Sequence, residues 1–559
     1  ATVRGYQGDD LASPHHVAAC LKHYVGYSGP TSGHDRTPAL FPETVLREYY
    51  LPTFRAAIDA GAASVMINSG EVNGIPGHAN HFLLTTVLRK EMGFDGVAVS
   101  DWEDIKKLVT HHRVAANEKE ATRMAVMAGI DMSMVPSDYS FADLLLQLVN
   151  EGAVPVSRID EAVRRILVMK ARLGLFRDPL TGIDGRGVGS PSARALSLQA
   201  ARESITLLKN TRNVLPLARG ARILVTGPTA DSLIALNNGW TYTWQGDRPA
   251  LYPADRPTIV AAIRQRVSEA NVTYVPGVDF KKEIDLAAVT SAAQTADVIV
   301  LCLGESSYTE TPGDIDDLAL PAPQRHLAEV AAATGKPVVL VLVEGRPRLI
   351  NDFAEAMSGI VLAYNPSNEG GAAVTDILFG DVNPSGRLPF TYPRYSNSLL
   401  TYDRKLSESS DTSFGLKAYN AQFEFGFGLS YTTFEYSGLE VSPRTVATNG
   451  PVSVKVTVRN TGDRAGAEVV QLYLRDRVAS ITPSVRRLKR FARLWLAPGE
   501  SRQASFTLTR DDFSFIGADN RPTVEAGDFD VMVGSLTSSF ALTTVPGRKQ
   551  PSPTKKESP

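Results

Sequence analysis

A short apolar run that ends in a carboxylate and an indole is the feature of this sequence with the clearest potential for catalysis. Residues 97–102 read Val-Ala-Val-Ser-Asp-Trp, and such β-branched runs are typical of buried parallel strands. At the carboxyl end of a strand, Asp101 could act as a nucleophile or base, and Trp102 could stack on a flat ligand face. The alternative is that Asp101 only caps a helix that begins near Glu103.

Polar side chains also accompany two other predicted strands. Lys22 and His23 close the first strand-like run of the chain, at the sheet edge where Asp101 is expected, and could orient the hydroxyl groups of a ligand. Plain solvation of both side chains is the alternative. Met66 lies in the second run and His78 in the polar loop after it. Both are candidate ligand contacts, and His78 could instead support the site from behind.

Two loops in the middle of the chain carry further candidates. Residues 304–314 form a loop bounded by Gly and Pro that contains Glu305 and Glu310. Hydrolysis of a glycosidic bond by two carboxyl groups requires a second acid opposite the first, so either glutamate is a candidate proton donor, with surface charge as the alternative. Trp240 and Trp244 lie among Asn, Thr, Gln and Gly residues, which favours ligand stacking about as much as core packing.

Alternating strands and helices in the first third of the chain must position the first set of residues. Apolar runs predict strands at 17–24, 64–68, 97–101 and 129–134, and helical periodicity appears at 43–60, 83–92, 118–128, 141–150 and 158–173. This alternation predicts a parallel sheet covered by helices. Four units are half of a (β/α)8 barrel, which takes about 250 residues. We expect the complementary half from an upstream fragment or from a second chain, the latter as a homodimer.

The composition and the periodicity of apolar residues change several times along the chain, which predicts several domains. The predicted boundaries are 1–178 for the C-terminal part of the barrel, 179–204 for a linker, 205–395 for an α/β sandwich that carries the Glu310 loop, 396–440 for a connecting segment, 441–545 for a β-sandwich and 546–559 for a disordered tail.

The composition indicates a multidomain globular protein and argues against several partners. The 559 residues are 43% hydrophobic and 21% charged, with a formal net charge of −2, which offers no basic surface for nucleic acid or a membrane. Cys20 and Cys302 are the only cysteines, too few for a disulfide framework. No apolar run is long enough to span a bilayer, and residues 1–20 lack a signal-peptide pattern. Without metal-ligand spacing, we expect no metal and no organic cofactor.

Several motifs occur in a fixed order: Lys22-His23, Ser100-Asp101-Trp102, the Trp240 loop, Tyr308-Thr309-Glu310-Thr311, Glu344-Gly345-Arg346-Pro347, Asn383-Pro384-Ser385-Gly386 and residues 425–431. In this order the chain resembles glycoside hydrolase family 3, the retaining β-glucosidases and exo-β-glucanases, over about residues 1–544. The resemblance implies an α/β multidomain fold: the C-terminal half of a TIM-like (β/α)8 barrel, a six-stranded α/β sandwich and a fibronectin-type-III-like β-sandwich.

The resemblance also implies roles for individual residues. Asp101 would be the nucleophile and Glu310 the acid/base, supplied from the second domain, with Glu305 as a support of its loop. Four further residues would bind sugar: Lys22 and His23 at the nonreducing end, and Trp102 and Trp240 as an aromatic clamp for the next sugar.

The implied activity is that of a retaining, exo-acting β-glucosidase that removes terminal nonreducing β-D-glucose from β-glucosides, in a periplasmic or extracellular location. β-Xylosidase and β-N-acetylglucosaminidase are alternatives within the same family. The resemblance implies that β-N-acetylglucosaminidases of the family follow their Lys-His motif with an Asp-Ser-His loop that acts as acid/base. After Lys22-His23 this chain has Gly33-His34-Asp35-Arg36 instead. A catalytically incomplete sugar-binding or scaffold protein is the alternative of another class, and both carboxylates being intact argues against it.

Overall fold

The computed structural model describes residues 1–180, 187–398, 400–409 and 419–544. These residues fall into two compact units. The first is made of residues within Ala1–Val188, Glu310–Asp314 and Ile516–Pro522, and the second of residues within Gly189–Thr309, Ile315–Phe515 and Thr523–Pro559. The tail predicted to be disordered, 546–559, lies outside the described residues.

The first unit is built on a four-stranded parallel sheet. Its strands, adjacent in the order of the chain, are β1 (Cys20–Tyr24), β2 (Ser64–Ile67), β3 (Val97–Trp102) and β4 (Met132–Met134). Val65 and Ala98 on the central strands are fully buried, as expected for strands covered by helices. The four predicted strands and their parallel arrangement are confirmed.

Helices connect these strands and cover the sheet. They are Thr2–Gln7, the consecutive stretches Glu43–Val45, Leu46–Tyr50 and Leu51–Asp59, then Gly77–Ala79, Phe82–Glu91, Asp104–Thr110, Glu118–Ala128, Ser140–Asn150 and Val156–Arg172. Each of the five predicted helices has a counterpart here. The sequence patterns missed the short helix Asp104–Thr110 and the hairpin of Glu71–Val72 with Ile75–Pro76, because segments of two to seven residues are too short to show a period.

The second unit contains a six-stranded α/β sheet. Its strands are β5 (Thr206–Asn210), β6 (Ile223–Thr226), β7 (Val272–Tyr274), β8 (Val298–Gly304), β9 (Val338–Val343) and β10 (Gly359–Leu362), in the spatial order β5-β10-β9-β8-β6-β7. Only β5 is antiparallel to its neighbour. The helices of this region are Pro191–Ser204, Leu233–Asn237, Ile259–Arg266, Leu286–Thr295, Ala322–Ala333 and Gly370–Leu378. All residues of β8 are buried, and the loop that leads to Glu310 begins at the end of this inner strand.

The same unit ends in a β-sandwich. Its strands are β11 (Phe434–Ser442), β12 (Thr445–Ala447), β13 (Val452–Asn460), β14 (Gly466–Asp476), β15 (Arg487–Leu496), β16 (Ser501–Leu508), β17 (Gly527–Val533) and β18 (Leu536–Thr543). They form a three-stranded sheet, β11-β13-β16, and a five-stranded sheet, β12-β18-β17-β14-β15. Alternate residues of β13, from Val452 to Val458, are completely buried, which is the period-2 pattern that predicts a sandwich.

A few shorter elements complete the description. They are the helical turns Thr211–Asn213, Pro249–Leu251, Glu269–Asn271, Thr311–Gly313 and Ala354–Ala356, the helices Leu406–Ser409 and Arg510–Phe513, and the strands Tyr392–Pro393, Ala421–Phe423, Phe515–Ile516 and Pro522–Thr523. None of the helices in the described ranges combines the length and apolar character needed to cross a lipid bilayer.

Candidate active site

Asp101 lies at the carboxyl end of β3, as predicted, and is 6% exposed. Ser100 ties the strand end to its neighbour, because its hydroxyl donates to the carbonyl of Asp101 and accepts the N–H of Met134. The next helix begins at Asp104 with Glu103 as its N-cap. The alternative role of Asp101 as a helix cap is therefore wrong, and its carboxylate is available for other contacts.

The carboxylate of Asp101 accepts hydrogen bonds on both oxygens. The Ser69 hydroxyl donates to Oδ2 at 2.8 Å and the Trp102 backbone N–H donates to Oδ1 at 2.7 Å. Two further nitrogens face Oδ2, Arg36 Nη2 at 3.4 Å and His23 Nε2 at 3.5 Å. Burial raises the pKa of Asp101, but the hydrogen bonds from Trp102 and Ser69 and the charge of Arg36 outweigh that effect and bring the pKa below its ordinary value. Asp101 is thus a carboxylate at neutral pH, as a nucleophile must be.

Glu310 is a member of the first unit, although its loop follows strand β8 of the second. Lys22 Nζ lies 3.4 Å from Glu310 Oε1, and Arg36 Nη2 lies 3.1 Å from Oε2. The same Arg36 nitrogen contacts Asp101, so the two carboxylate oxygens are at most about 6.5 Å apart, the sum of the two contacts. Two carboxyl groups that originate about 200 residues apart in sequence therefore face a common space.

Lys22 and His23 lie at the end of β1, on the same edge as Asp101. His23 is 7% exposed and its ring packs against Tyr27, with ring centroids 4.2 Å apart. Burial lowers the pKa of His23 against the opposing effect of Asp101, so the ring is neutral at neutral pH. Within the described part of the chain, His23 Nε2 is buried without a hydrogen-bond partner, which leaves it able to bind a hydroxyl group of a ligand.

His78 lies behind Asp101 and is only 1% exposed. Its Nε2 accepts the backbone N–H of Asp101 at 3.0 Å, and its Nδ1 is 3.7 Å from the carboxylate of Asp104. Burial lowers the pKa of His78 to about 4, which keeps Nε2 an acceptor at neutral pH. This placement favours the supporting role over direct contact with a ligand.

The remaining predicted ligand contacts have different surroundings. Met66 is the one residue of β2 that stays partly exposed, and Trp102 is 54% exposed beside Asp101. Trp240 belongs to the second unit, where it is 59% exposed and adopts a positive φ of 59°. The aromatic clamp formed by Trp102 and Trp240 remains a prediction.

Within the second unit, the loop that leads to Glu310 is held by many hydrogen bonds. Glu305 is buried and accepts from Tyr308 Oη at 3.0 Å, Arg346 Nε at 3.0 Å and Arg348 Nη1 at 2.8 Å. This is the supporting role expected of Glu305. The side-chain amide of Gln245 forms two hydrogen bonds with the backbone of Thr309, at 3.0 and 3.1 Å. The residue before Glu310 is therefore fixed to the loop that contains Trp240.

The sequence patterns missed four residues that contact the carboxylates or their partners. Arg36 and Ser69 bind the candidate carboxylates directly, and Asp35 and Thr311 hold Arg36 at 2.7 and 3.3 Å. All four lie in turn-rich segments where polar residues are common, and only Thr311 belongs to one of the ordered motifs of the sequence. Across the described ranges, no group of three or more His, Cys, Asp and Glu side chains could hold a metal ion.

The sequence matches three domain families along its length. Residues 1–169 match the glycosyl hydrolase family 3 N terminal domain, residues 205–431 the glycosyl hydrolase family 3 C-terminal domain, and residues 468–537 the fibronectin type III-like domain. The α/β multidomain fold with a terminal β-sandwich expected from the resemblance is confirmed by these matches.

Individual relatives agree with the domain matches. A lysosomal beta glucosidase of Dictyostelium discoideum is 43% identical over 564 residues, which cover 96% of this chain and 68% of the relative. A beta-xylosidase of Formosa agariphila is 36% identical, with coverage of 98% and 78%, and a periplasmic beta-glucosidase of Salmonella typhimurium is 33% identical, with coverage of 95% and 74%.

A solved structure is similar over nearly the whole chain. The beta-glucosidase of Listeria innocua in complex with glucose has a TM-score of 0.89 and 32% sequence identity, and the match covers 97% of this chain and 76% of that one. With paired carboxylates at a sheet edge, matching domains and relatives of this similarity, the chain belongs to glycosyl hydrolase family 3.

Proposed function

We propose that this protein is a retaining, exo-acting β-glucosidase that releases terminal nonreducing β-D-glucose from β-glucosides. The observation that carries the proposal is the pair of carboxylates of Asp101 and Glu310, at most about 6.5 Å apart across one guanidinium. Retaining glycosidases keep their two carboxyl groups roughly 5–5.5 Å apart, whereas inverting enzymes need a wider gap for water. Relatives that are β-glucosidases support glucose as the sugar.

In the first step, Asp101 attacks the anomeric carbon and the glycosidic carbon–oxygen bond breaks. Glu310 gives its proton to the leaving oxygen, and a glycosyl ester forms on Asp101. Asp101 suits this role because Ser69 and the Trp102 N–H favour its ionised form. His78 holds the backbone of Asp101 from behind, which fixes the direction of attack.

In the second step, water attacks the anomeric carbon and gives a proton to Glu310, while the carboxylate of Asp101 leaves. The sugar keeps its β configuration because both displacements invert the same carbon. Lys22 and His23 would bind hydroxyl groups of the nonreducing-end sugar, with Met66 and Trp102 beside them, and Trp240 would stack on the next sugar. The partly exposed Lys22 and the buried, unpartnered Nε2 of His23 support this assignment.

The direct test compares aryl β-glycosides as substrates of the natively isolated protein. We expect the highest kcat/KM with the β-glucoside, and NMR should identify β-glucose as the first product. A higher value with the β-xyloside would favour the second candidate, β-xylosidase, which the Formosa agariphila relative supports. A higher value with the β-N-acetylglucosaminide would favour the third. α-Glucose as the first product would contradict the retaining mechanism, and no turnover of any substrate would favour the scaffold alternative.

We also propose that further β/α units complete the barrel of the active protein. Within the described residues, β1 and β4 each pair with a neighbour on one side only. The helix Val156–Arg172 has Val163 and Leu167 45% and 44% exposed, and Phe176 just after it is 65% exposed. Open parallel edges and apolar helix faces are costly in water. An upstream fragment or a second copy of the chain, as a homodimer, would supply the cover.

We further propose an exported location, periplasmic or extracellular. One relative is a periplasmic β-glucosidase, and hydrolysis of external β-glucosides suits that compartment. Fractionation of the producing cells tests this point: activity confined to the cytoplasm would contradict export.

A further inference from the structure

Two segments that are far apart in sequence meet beside the candidate carboxylates. The backbone N–H of Asp35 donates to both carboxylate oxygens of Asp314, at 3.0 and 3.2 Å. In return, the hydroxyl of Thr311 donates to Asp35 Oδ2 at 2.7 Å. About 275 residues separate the two segments in the chain. Asp35 thus binds the segment that contains Glu310 through both its backbone and its side chain.

Arg36 extends this contact to both carboxylates. Its Nη1 contacts Asp35 Oδ2 at 2.7 Å and the Thr311 hydroxyl at 3.3 Å. Its Nη2 contacts Glu310 at 3.1 Å and Asp101 at 3.4 Å. One side of the guanidinium fork is therefore anchored, and the other side lies between the two carboxylates. A planar fork can make such contacts together, whereas a lysine ammonium presents a single point charge.

The backbone at both ends of this contact is unusual. Arg36 has a φ of 59° and Glu310 a φ of 52°, a region that non-glycine residues rarely adopt. Such conformations cost free energy and persist where surrounding contacts enforce them, often at functional sites. The hydrogen bonds between Asp35, Thr311 and Asp314 are contacts of this kind.

We propose that Asp35 and Arg36 are positioning residues that hold Glu310 opposite Asp101 and set the balance of charge between the two carboxylates; the inference rests on the proposed function. Asp35 orients the guanidinium, and the guanidinium offsets the mutual repulsion of two neighbouring carboxylates. This favours ionised Asp101 for attack in the first step. Lys22 also faces Glu310, and His23 also faces Asp101.

If Arg36 acts in this way, its removal should change how kcat/KM depends on pH, which a purely structural role would not do. A nearby cation lowers the pKa of a carboxyl group, and its removal raises that pKa. In the Arg36→Gln variant Asp101 should therefore hold its proton to higher pH. The acid limb of kcat/KM depends on ionised Asp101 together with neutral His78. This limb should move upward, by about one pH unit.

The experiment measures kcat/KM for an aryl β-glucoside against pH in the wild type and in two variants of Arg36. Arg36→Gln should shift the acid limb upward, and Arg36→Lys, which keeps the charge and loses the fork, should leave that limb near that of the wild type with a lower kcat. Arg459→Gln, at an exposed arginine of β13, is the matched control and should change nothing. A uniform loss of activity in Arg36→Gln with an unmoved acid limb would overturn the proposal.

A second variant covers the case in which Arg36→Gln does not fold. Asp35→Asn keeps the size of the side chain and weakens the anchor, so kcat should fall on the order of tenfold with a smaller change in KM. Chymotrypsin should also cleave this variant faster after Tyr308, a readout that needs no activity. Equal cleavage and equal kcat would overturn the proposal. An inactive wild type with faster cleavage of Asp35→Asn would instead count against the proposed function alone.

Discussion

The reactivity proposed for Asp101 arises from groups that reach it from several parts of the chain. Ser69 and the Trp102 N–H bind its oxygens, His78 binds its backbone, and His23 and Arg36 face it from two other segments. The hydrogen bonds from Ser69 and Trp102 and the charge of Arg36 favour the ionised carboxylate over the protonated acid. Burial to 6% exposure excludes most water, which strengthens the same contacts. In the proposed mechanism, these contacts place Asp101 for attack and hold it in one direction.

Replacement of Asp101 by asparagine tests the nucleophile. Asp101→Asn should lower kcat by on the order of 10⁴-fold or more, because an amide cannot form the glycosyl ester. The circular dichroism spectrum should stay that of the wild type, since the amide fills the same space. Asp59→Asn, at an exposed helix position, serves as the control and should keep full activity. Near-full activity of Asp101→Asn would refute the assignment.

Glu310→Ala separates the proton donor from the nucleophile. Loss of general acid catalysis should lower the rate of the first step on the order of 10²–10⁴-fold with natural glucosides, whose leaving groups need a proton. With an aryl glucoside that has an acidic phenol as leaving group, the same rate should fall far less. Steady-state assays of both substrate types decide the matter. Equal losses with the two substrates would indicate that Glu310 is not the acid.

Protonation of the acceptor nitrogen of His78 should make the activity depend on pH. The lowered pKa of about 4 means that Nε2 accepts the Asp101 N–H above that pH and becomes a donor below it. Activity of the wild type should therefore fall as the pH drops through about 4. His78→Gln offers an acceptor oxygen at every pH, so its acid limb should lie lower. The exposed His15→Gln control should keep the wild-type limb, and coincident limbs in all three proteins would rule out this role.

Two loops of the second unit pack against each other just before Glu310 in the chain. The side-chain amide of Gln245 donates to the carbonyl of Thr309 and accepts its N–H. The Asn238 side chain accepts the N–H of Tyr308 at 2.9 Å. Gly239 packs so closely on this loop that an added Cβ would lie 2.5 Å from the carbonyl oxygen of Tyr308. Only a glycine allows the two backbones to come this close. The loop that ends at Thr309 therefore packs against the loop that contains Trp240.

Gln245→Leu should disturb the contact between these two loops without unfolding the protein. The variant loses both hydrogen bonds to Thr309, so we expect kcat to fall on the order of tenfold while KM changes less. Kinetics with a natural glucoside provide the measurement. Gln503→Leu, at an exposed position of β16, is the matched control. An unchanged kcat in Gln245→Leu would mean that the loop is held by its other contacts.

For the molecule as a whole, the open edges of the four-stranded sheet predict that the active species contains more β/α units than those described. Intact mass and native mass of the active preparation measure this directly. A companion fragment or a longer chain would identify an upstream source, and a mass of twice the chain would identify a second copy. A fully active monomer of 60.3 kDa would contradict the proposal.

Much of the fold followed from local patterns in the amino-acid order. The strands around 64–68 and 97–101 and the helices near 118–128 and 158–173 were predicted from apolar runs and periodicity and were found close to those positions. The period of apolar residues is a property of neighbouring positions, so tertiary structure is not needed to read it. The same holds for Asp101 and Glu310, which stand out as carboxylates that follow apolar strands.

The partners of those carboxylates were decided only by the tertiary structure. Arg36, Asp35 and Ser69 lie in loops whose composition is ordinary, and their function depends on where each loop returns to the sheet edge. His78 shows the same limit: the sequence left ligand contact and support equally open for its ring, and its place behind Asp101 favours support. The sequence shows which reactive side chains lie on which strand or loop. Whether side chains from segments hundreds of residues apart come together depends on long-range packing, which no local pattern records.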